Sequence, residues 1–272
     1  MTAVLCLHPI FIENAIMISQ KLNIPLHSGD LDPKENDLYL VFGGHERTLE
    51  LLEVQIRKKV NYVIFNSEQP SSRFFKDKFY LRLLRENVVF DYANNNIKYL
   101  NEVLKIKVYS TFAFDFTALP QEDTHERDID LLFIGTKTPE RERAYEMLKT
   151  KYPDKNIVFD FEWKLVKPQE VKNMIARAKV VLNIPIYEDG NLETHRINNA
   201  LSCRCNVISH RKADKETIEF YDDFIFYYDD VDKIDLDMVD DSKESYEELS
   251  KRITPHTLHN AMMIDKLKNI KR

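Results

Sequence analysis

Glycine is scarce in this sequence, which has only five glycines in 272 residues. Phosphate-binding loops of the GxGxxG and GxxxxGK[ST] kinds need closely spaced glycines, because side chains there would keep the backbone away from the phosphate. Neither pattern occurs in the sequence. The scarcity therefore argues against a dinucleotide site or an ATP site of these two kinds.

Cysteine is also scarce, with Cys6, Cys203 and Cys205 as the only three. Their odd number, and the short spacing of the last two along one strand, predict free thiols in a reducing, cytoplasmic compartment. A zinc site built from the last two cysteines with His195 and His210 is disfavoured, because C-x-C on a strand directs its thiols to opposite faces. We therefore predict no metal site.

Basic residues are not in excess, and long apolar runs are missing. Lysine and arginine total 39 against 45 aspartates and glutamates, which gives a formal charge of −6. No basic stripe is present that would follow a nucleic-acid backbone. No apolar run approaches the roughly 18 residues that a membrane span requires. We expect no nucleic-acid partner and no transmembrane segment, and the oligomeric state stays unknown.

Short apolar runs rich in Val, Ile, Phe and Tyr alternate with longer charged segments of helical period. This alternation is typical of βαβ units and predicts an α/β fold with parallel sheets. Five runs in the first half predict one sheet, and five in the second half predict another. The runs are AVLCL, DLYLVFG, NYVIFN, NVVFDY and KVYSTF, followed by DIDLLFIG, NIVFDF, KVVLNIP, CNVIS and FIFYY.

The chain is long enough for two domains, and two domains imply a cleft. Residues 119–128, LPQEDTHERD, contain a proline and mostly polar residues without apolar periodicity, and they are the predicted linker. The predicted division is residues 1–119, residues 120–254, and a terminal helix at 255–272 that packs back toward the first domain.

The loop after the first strand of the second half has features of an anion site. Thr138 is placed to cap a helix that begins at Pro139, so this helix N-terminus lies at the carboxyl edge of the sheet. Ligands of open parallel sheets bind at that edge. Gly135 would let a ligand approach the backbone, while Thr136 and Lys137 would offer a hydroxyl and a cation to a phosphate. The alternative is an ordinary loop.

The segment LETHRINNAL predicts a helix that begins with unusual charge at the same edge. At 100° per residue, Glu193 falls on the inward side and Arg196 lies about 60° away. A carboxylate there would bind sugar or ribose hydroxyls, and an arginine would bind phosphate oxygens. Tyr187 would pack on a base or sugar, and the alternative for it is ordinary packing within the protein. The alternative is an i, i+3 surface pair that contributes about 0.2–0.5 kcal/mol to the helix.

Three segments resemble GT-B glycosyltransferases, in particular the small CgeB-like group and the "glycosyl transferases group 1" domains. They are residues 128–148, 176–209 and 224–234. The family's G-S/T-x-x-x-x-R loop corresponds to Gly135 with Arg141, and its R-x-x-E/N-A-L-A-x-G helix begins at Arg196. The first half carries weaker similarities at VIFNSEQ and FDYANNN.

The resemblance implies two Rossmann-like domains that face a cleft, with a nucleotide-diphosphate sugar as donor substrate and no cofactor. A glycosyl group would pass to a hydroxyl acceptor on a glycan, lipid or protein, without a metal ion. The alternative is an inactive nucleotide-sugar or glycan-binding module of the same fold. The expected donor-binding residues are Gly135, Thr136, Lys137, Arg141, Tyr187, Glu193, Arg196 and Asn199.

Two departures from the family pattern bear on activity. Many retaining members have a glutamate where this chain has Asn199, and the family's glycine is replaced by Arg204. Either Glu188 or Glu193 would take over part of the missing carboxylate's role. The sequence leaves open whether the configuration at the sugar's anomeric carbon is retained or inverted.

Candidate catalytic residues follow three strands of the first half. An inverting enzyme needs a base for the acceptor hydroxyl, and His45, Glu68 and Asp91 are each expected at the carboxyl edge of the sheet. Alternative roles are a helix start for His45, a cap partner for Glu68 and a turn former for Asp91. We predict Glu68 and His45 as the catalytic pair.

Overall fold

The computed structural model describes residues 3–29, 34, 37–110, 126–162, 167–187, 190–240 and 242–267. Most of the predicted linker, and Glu188, lie outside these residues. The chain divides into two compact units, Met1–Thr117 with Arg252–Arg272 and Ala118–Lys251. The predicted domain boundaries, the packing of the terminal helix and the cleft stay predictions.

The first unit is built around a parallel sheet of six strands in the order β2-β1-β3-β4-β5-β6. All five predicted runs form strands, and one strand was not predicted. That strand, β2, has three residues at the sheet edge and only one of them is apolar, so it gives no hydrophobic signal. In chain order the elements are β1 (Ala3–Cys6), α1 (Ile12–Leu22), β2 (Leu26–Ser28), β3 (Leu38–Phe42), α2 (Thr48–Lys58), β4 (Asn61–Asn66), α3 (Lys78–Glu86), β5 (Val88–Asp91), α4 (Asn94–Lys98) and β6 (Val108–Ser110).

The second unit is built around a parallel sheet of five strands in the order β11-β10-β9-β7-β8. Its strands are the five predicted from the sequence, and the two sheets confirm the predicted α/β fold class of two Rossmann-like domains. The elements are β7 (Ile129–Ile134), α5 (Pro139–Lys151), β8 (Ile157–Asp160), α6 (Pro168–Ala176), β9 (Ala178–Asn183), α7 (Thr194–Ser202), β10 (Asn206–His210), α8 (Lys215–Tyr221) and β11 (Phe226–Tyr228).

The strands are apolar on both faces because helices cover both faces of a parallel sheet. In β3, Tyr39 and Val41 belong to one core cluster, and Leu40 and Phe42 belong to the other. Polar side chains are therefore placed mainly where the strands end. This arrangement concentrates the candidate chemistry of each unit at its carboxyl edge.

The terminal helix α9 spans Tyr246–Leu267, so the predicted start at Pro255 was wrong. Pro255 lies inside the helix rather than in its first turn. Tyr246, Leu249 and Ile253 are buried at a spacing of three and four residues, which is the apolar stripe of a helix. Among the helices within the described ranges, none has the length and hydropathy needed to span a bilayer.

Candidate functional site

The carboxyl edge of the first sheet brings two of the predicted residues together. His45 follows β3, and Glu68 follows the neighbouring strand β4. The Nε2 atom of His45 lies 3.2 Å from Oε1 of Glu68 and 3.4 Å from Oε1 of Glu46. The hydroxyl of Ser72 donates to Oε2 of Glu68 at 2.6 Å. The predicted pair is therefore in direct contact and Glu68 is held by a second partner, while its catalytic role stays a prediction.

Burial shifts the pKa values of both partners. It lowers the pKa of His45 to about 3, and His8 and Arg73 act in the same direction. Burial also raises the pKa of Glu68, which makes its carboxylate a stronger base than an exposed glutamate. At neutral pH the site thus offers a neutral imidazole beside a carboxyl group with increased proton affinity.

A second histidine, His8, lies at the same edge and was not predicted as a site residue. It follows β1, which pairs with β2 on one side and β3 on the other, so it lies where the strand order reverses. Its ring centroid is 6.1 Å from that of His45. The backbone N–H of Ile10 donates to Nδ1 of His8 at 3.3 Å, so the proton of the neutral ring is on Nε2. Its position directly after a predicted strand was the signal that would have found it.

Gly43 allows β1 and β3 to end this close together. Its φ is +72°, in the left-handed region that favours glycine. A Cβ atom at this position would lie 2.6 Å from Cβ of His8 and 2.8 Å from its backbone nitrogen. Both the backbone conformation and the lack of space therefore require glycine here.

Gly43→Ala is expected to lower the free energy of unfolding by more than Gly29→Ala does. Gly29 also has a positive φ, +90°, but a Cβ atom added there would meet nothing within 4 Å. The control thus measures backbone strain, on the order of 1–2 kcal/mol, and the Gly43 variant adds the clash with His8. Urea denaturation of both variants measures the difference. An equal loss of unfolding free energy in the two variants would contradict the close contact at Gly43.

Asp91 is fully buried and supports the Glu68 loop through two amides. Nδ2 of Asn66 and of Asn96 donate to the Asp91 carboxylate, and both also donate to the backbone carbonyl of Glu68, at 3.0 and 2.9 Å. The backbone N–H of Ala93 donates to Oδ1 of Asp91 at 2.9 Å, which is the geometry of a turn. Asp91 thus forms a turn, which was the alternative role considered for it, and it also supports the backbone of Glu68.

Asp91→Asn is expected to change how stability depends on pH. Burial raises the pKa of Asp91 to about 7, although the hydrogen bonds from several N–H donors act to lower it. A raised pKa means that the folded protein binds the proton of the Asp91 carboxyl group more tightly than the unfolded chain does. The contribution of Asp91 to the free energy of unfolding is therefore most favourable below pH 4 and is lost as the pH rises to about 7. The Asn variant should lack this loss between about pH 4 and 7. If the free energy of unfolding depends on pH in the same way for the wild type and the variant, this prediction is wrong.

Arg141 holds the loop at the carboxyl edge of the second sheet. Its Nε and Nη2 atoms donate to the carbonyl of Ile184 at 3.1 and 2.6 Å, and Nη1 donates to the carbonyl of Thr136 at 2.8 Å. The side chain is 2% exposed, and burial, followed by the charge of Arg196, lowers its pKa to about 10. The guanidinium of Arg141 therefore donates to backbone carbonyls, while its predicted donor-binding role stays a prediction.

Gly135 has a packing reason to be glycine. A Cβ atom would lie 2.9 Å from Cζ of Phe133 and 3.3 Å from Nη1 of Arg141. The side of Gly135 on which a Cβ atom would stand is thus occupied by the protein's own side chains, and the donor-binding role of Gly135 stays a prediction. The helix start beyond the loop is as predicted, because α5 begins at Pro139 and the hydroxyl of Thr138 accepts from the N–H of Arg141.

Glu193 and Arg196 form an ion pair at the start of α7, but it is not a surface brace. Nε of Arg196 donates to Oε2 of Glu193 at 2.7 Å, and the two side chains are only 15% and 10% exposed, arginine first. Nη1 of Arg196 donates to the carbonyl of Ile134, at the end of β7. Within the described part of the chain, Nη2 of Arg196 makes no hydrogen bond. The guanidinium is fixed by two partners and keeps donors for a third.

The electrostatic surroundings keep Glu193 ionised. Burial raises its pKa, but the charges of Arg196, His195 and Arg141 outweigh that effect, and the net shift is downward. The guanidinium groups of both arginines lie over the same ring, with their Cζ atoms 5.0 Å and 5.8 Å from the centroid of Phe133. The buried guanidinium of Arg141 and the half-buried one of Arg196 thus both act electrostatically on one buried carboxylate.

The other predicted donor-binding residues are placed less specifically. Lys137 is exposed and its ammonium lies 2.6 Å from a carboxylate oxygen of Glu142. Thr136 contributes its carbonyl to Arg141, and Tyr187 is half-buried, with its carbonyl accepting from the N–H of Gly190. Asn199 is half-buried on α7. Their donor-binding roles stay predictions.

The turn that follows α7 keeps a glycine-type conformation without glycine. Arg204 has φ +55°, and its N–H donates to the carbonyl of Leu201 at 2.8 Å. This is the left-handed end that glycine commonly provides for helices. Arg204 therefore adopts the left-handed conformation at this position although it is not glycine.

Buried polar atoms without hydrogen-bond partners in the described structure concentrate at the carboxyl edge of the second sheet. Three of them belong to the last residues of β8, β9 and β10, and others lie on α7. Such atoms are rare in folded proteins, and most of these are acceptors. They include Oδ2 of Asp160, Oδ1 of Asn183, Nδ1 of His210, Oγ1 of Thr194 and Oδ1 of Asn199.

Comparison with known proteins shows similarity at the level of the fold. No protein-family model and no curated protein matches the sequence. The chain is similar to the crystal structure of WaaG, a glycosyltransferase involved in lipopolysaccharide biosynthesis, with a TM-score of 0.44 and 12% sequence identity over 96% of this chain and 93% of that chain. The assignment to the α/β class rests on the two parallel sheets themselves. Within the described residues, no group of three or more His, Cys, Asp or Glu side chains is arranged to hold a metal ion.

Proposed function

We propose that this protein is a glycosyltransferase that moves a sugar from a nucleotide-diphosphate sugar to a hydroxyl acceptor. The second unit would bind the donor, and the first unit would supply acceptor-side residues. The observation that carries the proposal is the fixed guanidinium of Arg196 at the carboxyl edge of the second sheet.

The charge balance around Arg196 favours an anionic ligand. Arg141 is a buried cation and Arg196 is half-buried, and the carboxylate of Glu193 is the one anion on which both act. A buried charge without full compensation is unfavourable, and a diphosphate would supply the missing negative charge. Arginine suits this role because its planar group donates two parallel hydrogen bonds to phosphate oxygens. These protein cations would serve the diphosphate without a metal ion.

The unpaired acceptors at the same edge favour the sugar part of such a ligand. Oδ1 of Asn183 and Oδ1 of Asn199 are buried without partners among the described residues. A hydroxyl donates to an acceptor of this kind, whereas a phosphate oxygen is repelled by it. An edge that combines acceptors with a cation therefore suits a ligand with both hydroxyl groups and phosphates.

The His45–Glu68 pair supports transfer to a hydroxyl group. A base must take the proton of the acceptor hydroxyl if the enzyme inverts, and a buried glutamate with a raised pKa is suited to that step. His45 and Glu68 are therefore proposed as the acceptor-side catalytic residues. The three cysteines are buried and form no disulfide within the described structure, which is compatible with the proposed cytoplasmic location.

The second candidate is a binding module of the same fold without catalysis. It is favoured by Asn199, which stands where the resemblance places a ribose-binding glutamate and which has an unpaired Oδ1. An amide there would still accept a hydroxyl but would carry no charge. Binding of nucleotide sugars without any turnover would support this candidate.

A thermal-shift screen with UDP, GDP, CMP and their sugars tests the proposal. A ligand that binds only the folded state, at 100 times its Kd, adds about 2.7 kcal/mol to stability. Donor hydrolysis measured on each ligand that raises Tm then separates the two candidates, because slow release of nucleotide requires catalysis. No stabilisation by any of these compounds would overturn both.

A further inference from the structure

His210 is a buried histidine that the proposed catalytic steps do not use. It ends β10 at the carboxyl edge of the second sheet and is 7% exposed. Its ring meets that of Tyr228 edge-on, with centroids 5.1 Å apart. The hydroxyl of Tyr228 donates to the carbonyl of Asn183 at 3.3 Å, so one side chain connects the imidazole with the carboxyl end of β9.

The surroundings of His210 indicate which of its nitrogens carries the proton. The backbone of Asp229 acts on the imidazole as a hydrogen-bond acceptor and raises its pKa. Within the described structure Nδ1 has no partner, so we assign the proton to Nε2. A neutral imidazole with its proton on Nε2 has only an acceptor at Nδ1.

The surroundings of His210 favour the neutral ring. Burial is the largest effect and lowers the pKa, and the charge of Lys212 acts in the same direction. Glu140 and Asp229 act in the opposite direction and are outweighed. At neutral pH the residue therefore presents a lone pair, in a buried place, that the described protein groups do not use.

We propose that Nδ1 of His210 accepts a hydrogen bond from a hydroxyl group of the sugar that the donor nucleotide carries. The inference rests on the proposed function, because it assigns this residue a part in recognising the transferred sugar. An acceptor lone pair attracts a hydroxyl and repels a phosphate oxygen. His210 therefore complements Arg196, which serves the diphosphate.

The presence of a buried acceptor without a partner, Nδ1 of His210, also favours a ligand at this place. Such an atom loses its hydrogen bond to water on folding and gains none from the described protein groups, so it lowers stability unless a ligand supplies a donor. A phenylalanine would fill the same space without that loss. Binding sites commonly keep such unfavourable groups because the ligand requires them.

The test compares a nucleotide sugar with its parent nucleoside diphosphate on His210→Gln. The glutamine Nε2 lies near the position of the histidine Nε2, so the variant keeps a donor for the Asp229 backbone and removes the Nδ1 acceptor. Calorimetric titrations would use UDP-glucose and UDP, or GDP-mannose and GDP if the thermal-shift screen favours guanine. We expect a 5- to 15-fold rise in the Kd of the nucleotide sugar, about the effect of one neutral hydrogen bond, and a change of less than about twofold for the diphosphate.

Control variants separate recognition from folding. His210→Phe keeps an aromatic ring against Tyr228 and should give the same selective loss, provided that its urea midpoint stays near that of the wild type. An equal loss for sugar and diphosphate, or no loss for either, would overturn the assignment of His210 while the proposed function stands. A wild-type protein that binds neither ligand would overturn both.

Discussion

Arg196→Ala is expected to weaken the binding of a nucleoside diphosphate by about 1.5–3 kcal/mol, the range for a hydrogen bond to a charged group. The guanidinium is held by Glu193 and by the carbonyl of Ile134, so it is oriented before a ligand arrives. The variant removes both the orientation and the charge. Calorimetric titration with the best nucleoside diphosphate from the thermal-shift screen measures the loss.

The burial of this ion pair determines how the experiment must be designed. Removing Arg196 alone leaves the carboxylate of Glu193 buried and without its direct partner, and breaking a buried pair in this way costs about 3–5 kcal/mol of stability. The double variant Glu193→Gln with Arg196→Ala removes the uncompensated charge. It should recover most of the stability and still bind the diphosphate weakly.

Arg177→Ala is the matched control for Arg196→Ala. Arg177 lies in the same unit and pairs with Asp128, but both side chains are 45% exposed. An exposed ion pair contributes little to stability, and its loss should leave ligand binding unchanged. If Arg196→Ala binds the diphosphate as tightly as Arg177→Ala does, the second sheet's edge is not the donor site.

The positions of the candidate residues were predictable because parallel sheets follow simple rules. Continuous apolar runs located ten of the eleven strands, and the carboxyl ends of adjacent strands meet at one edge. That rule alone brings His45 beside Glu68, although the two are 23 positions apart in the sequence and no local pattern links them. The start of α5 was also predictable, since Thr138 and Pro139 are local signals.

Other features depend on contacts that no local pattern contains. The reasons for Gly43 and Gly135 lie in His8, Phe133 and Arg141, which reach these glycines only after the sheets have formed. The protonated nitrogen of His210 is set by the backbone of the neighbouring strand's end. Helix α9 begins before Pro255 because its buried stripe outweighs the unfavourable proline, a balance that only packing decides.

Glu68→Gln is expected to lower the rate of glycosyl transfer by about 10²- to 10⁴-fold, the usual contribution of a general base. The amide keeps the shape of the side chain and its contact with Ser72, but it has no basic oxygen to take the acceptor proton. Because the proposed base would act on the acceptor and not on the donor, donor binding measured by calorimetry should change little.

Glu46→Gln is the matched control, because this neighbouring carboxylate also lies within 3.4 Å of Nε2 of His45 but is 45% exposed. It should keep most of the transfer activity. In the wild type, the rate should fall as the pH decreases through a pKa above the ordinary value of 4.5, since burial raises the pKa of Glu68 and the protonated group is not a base. The imidazole of His45 has a pKa of about 3, so its titration should not change the rate between about pH 5 and 8. Equal losses in the two glutamine variants, or a rate that does not fall until the pH is below 4.5, would exclude Glu68 as the base.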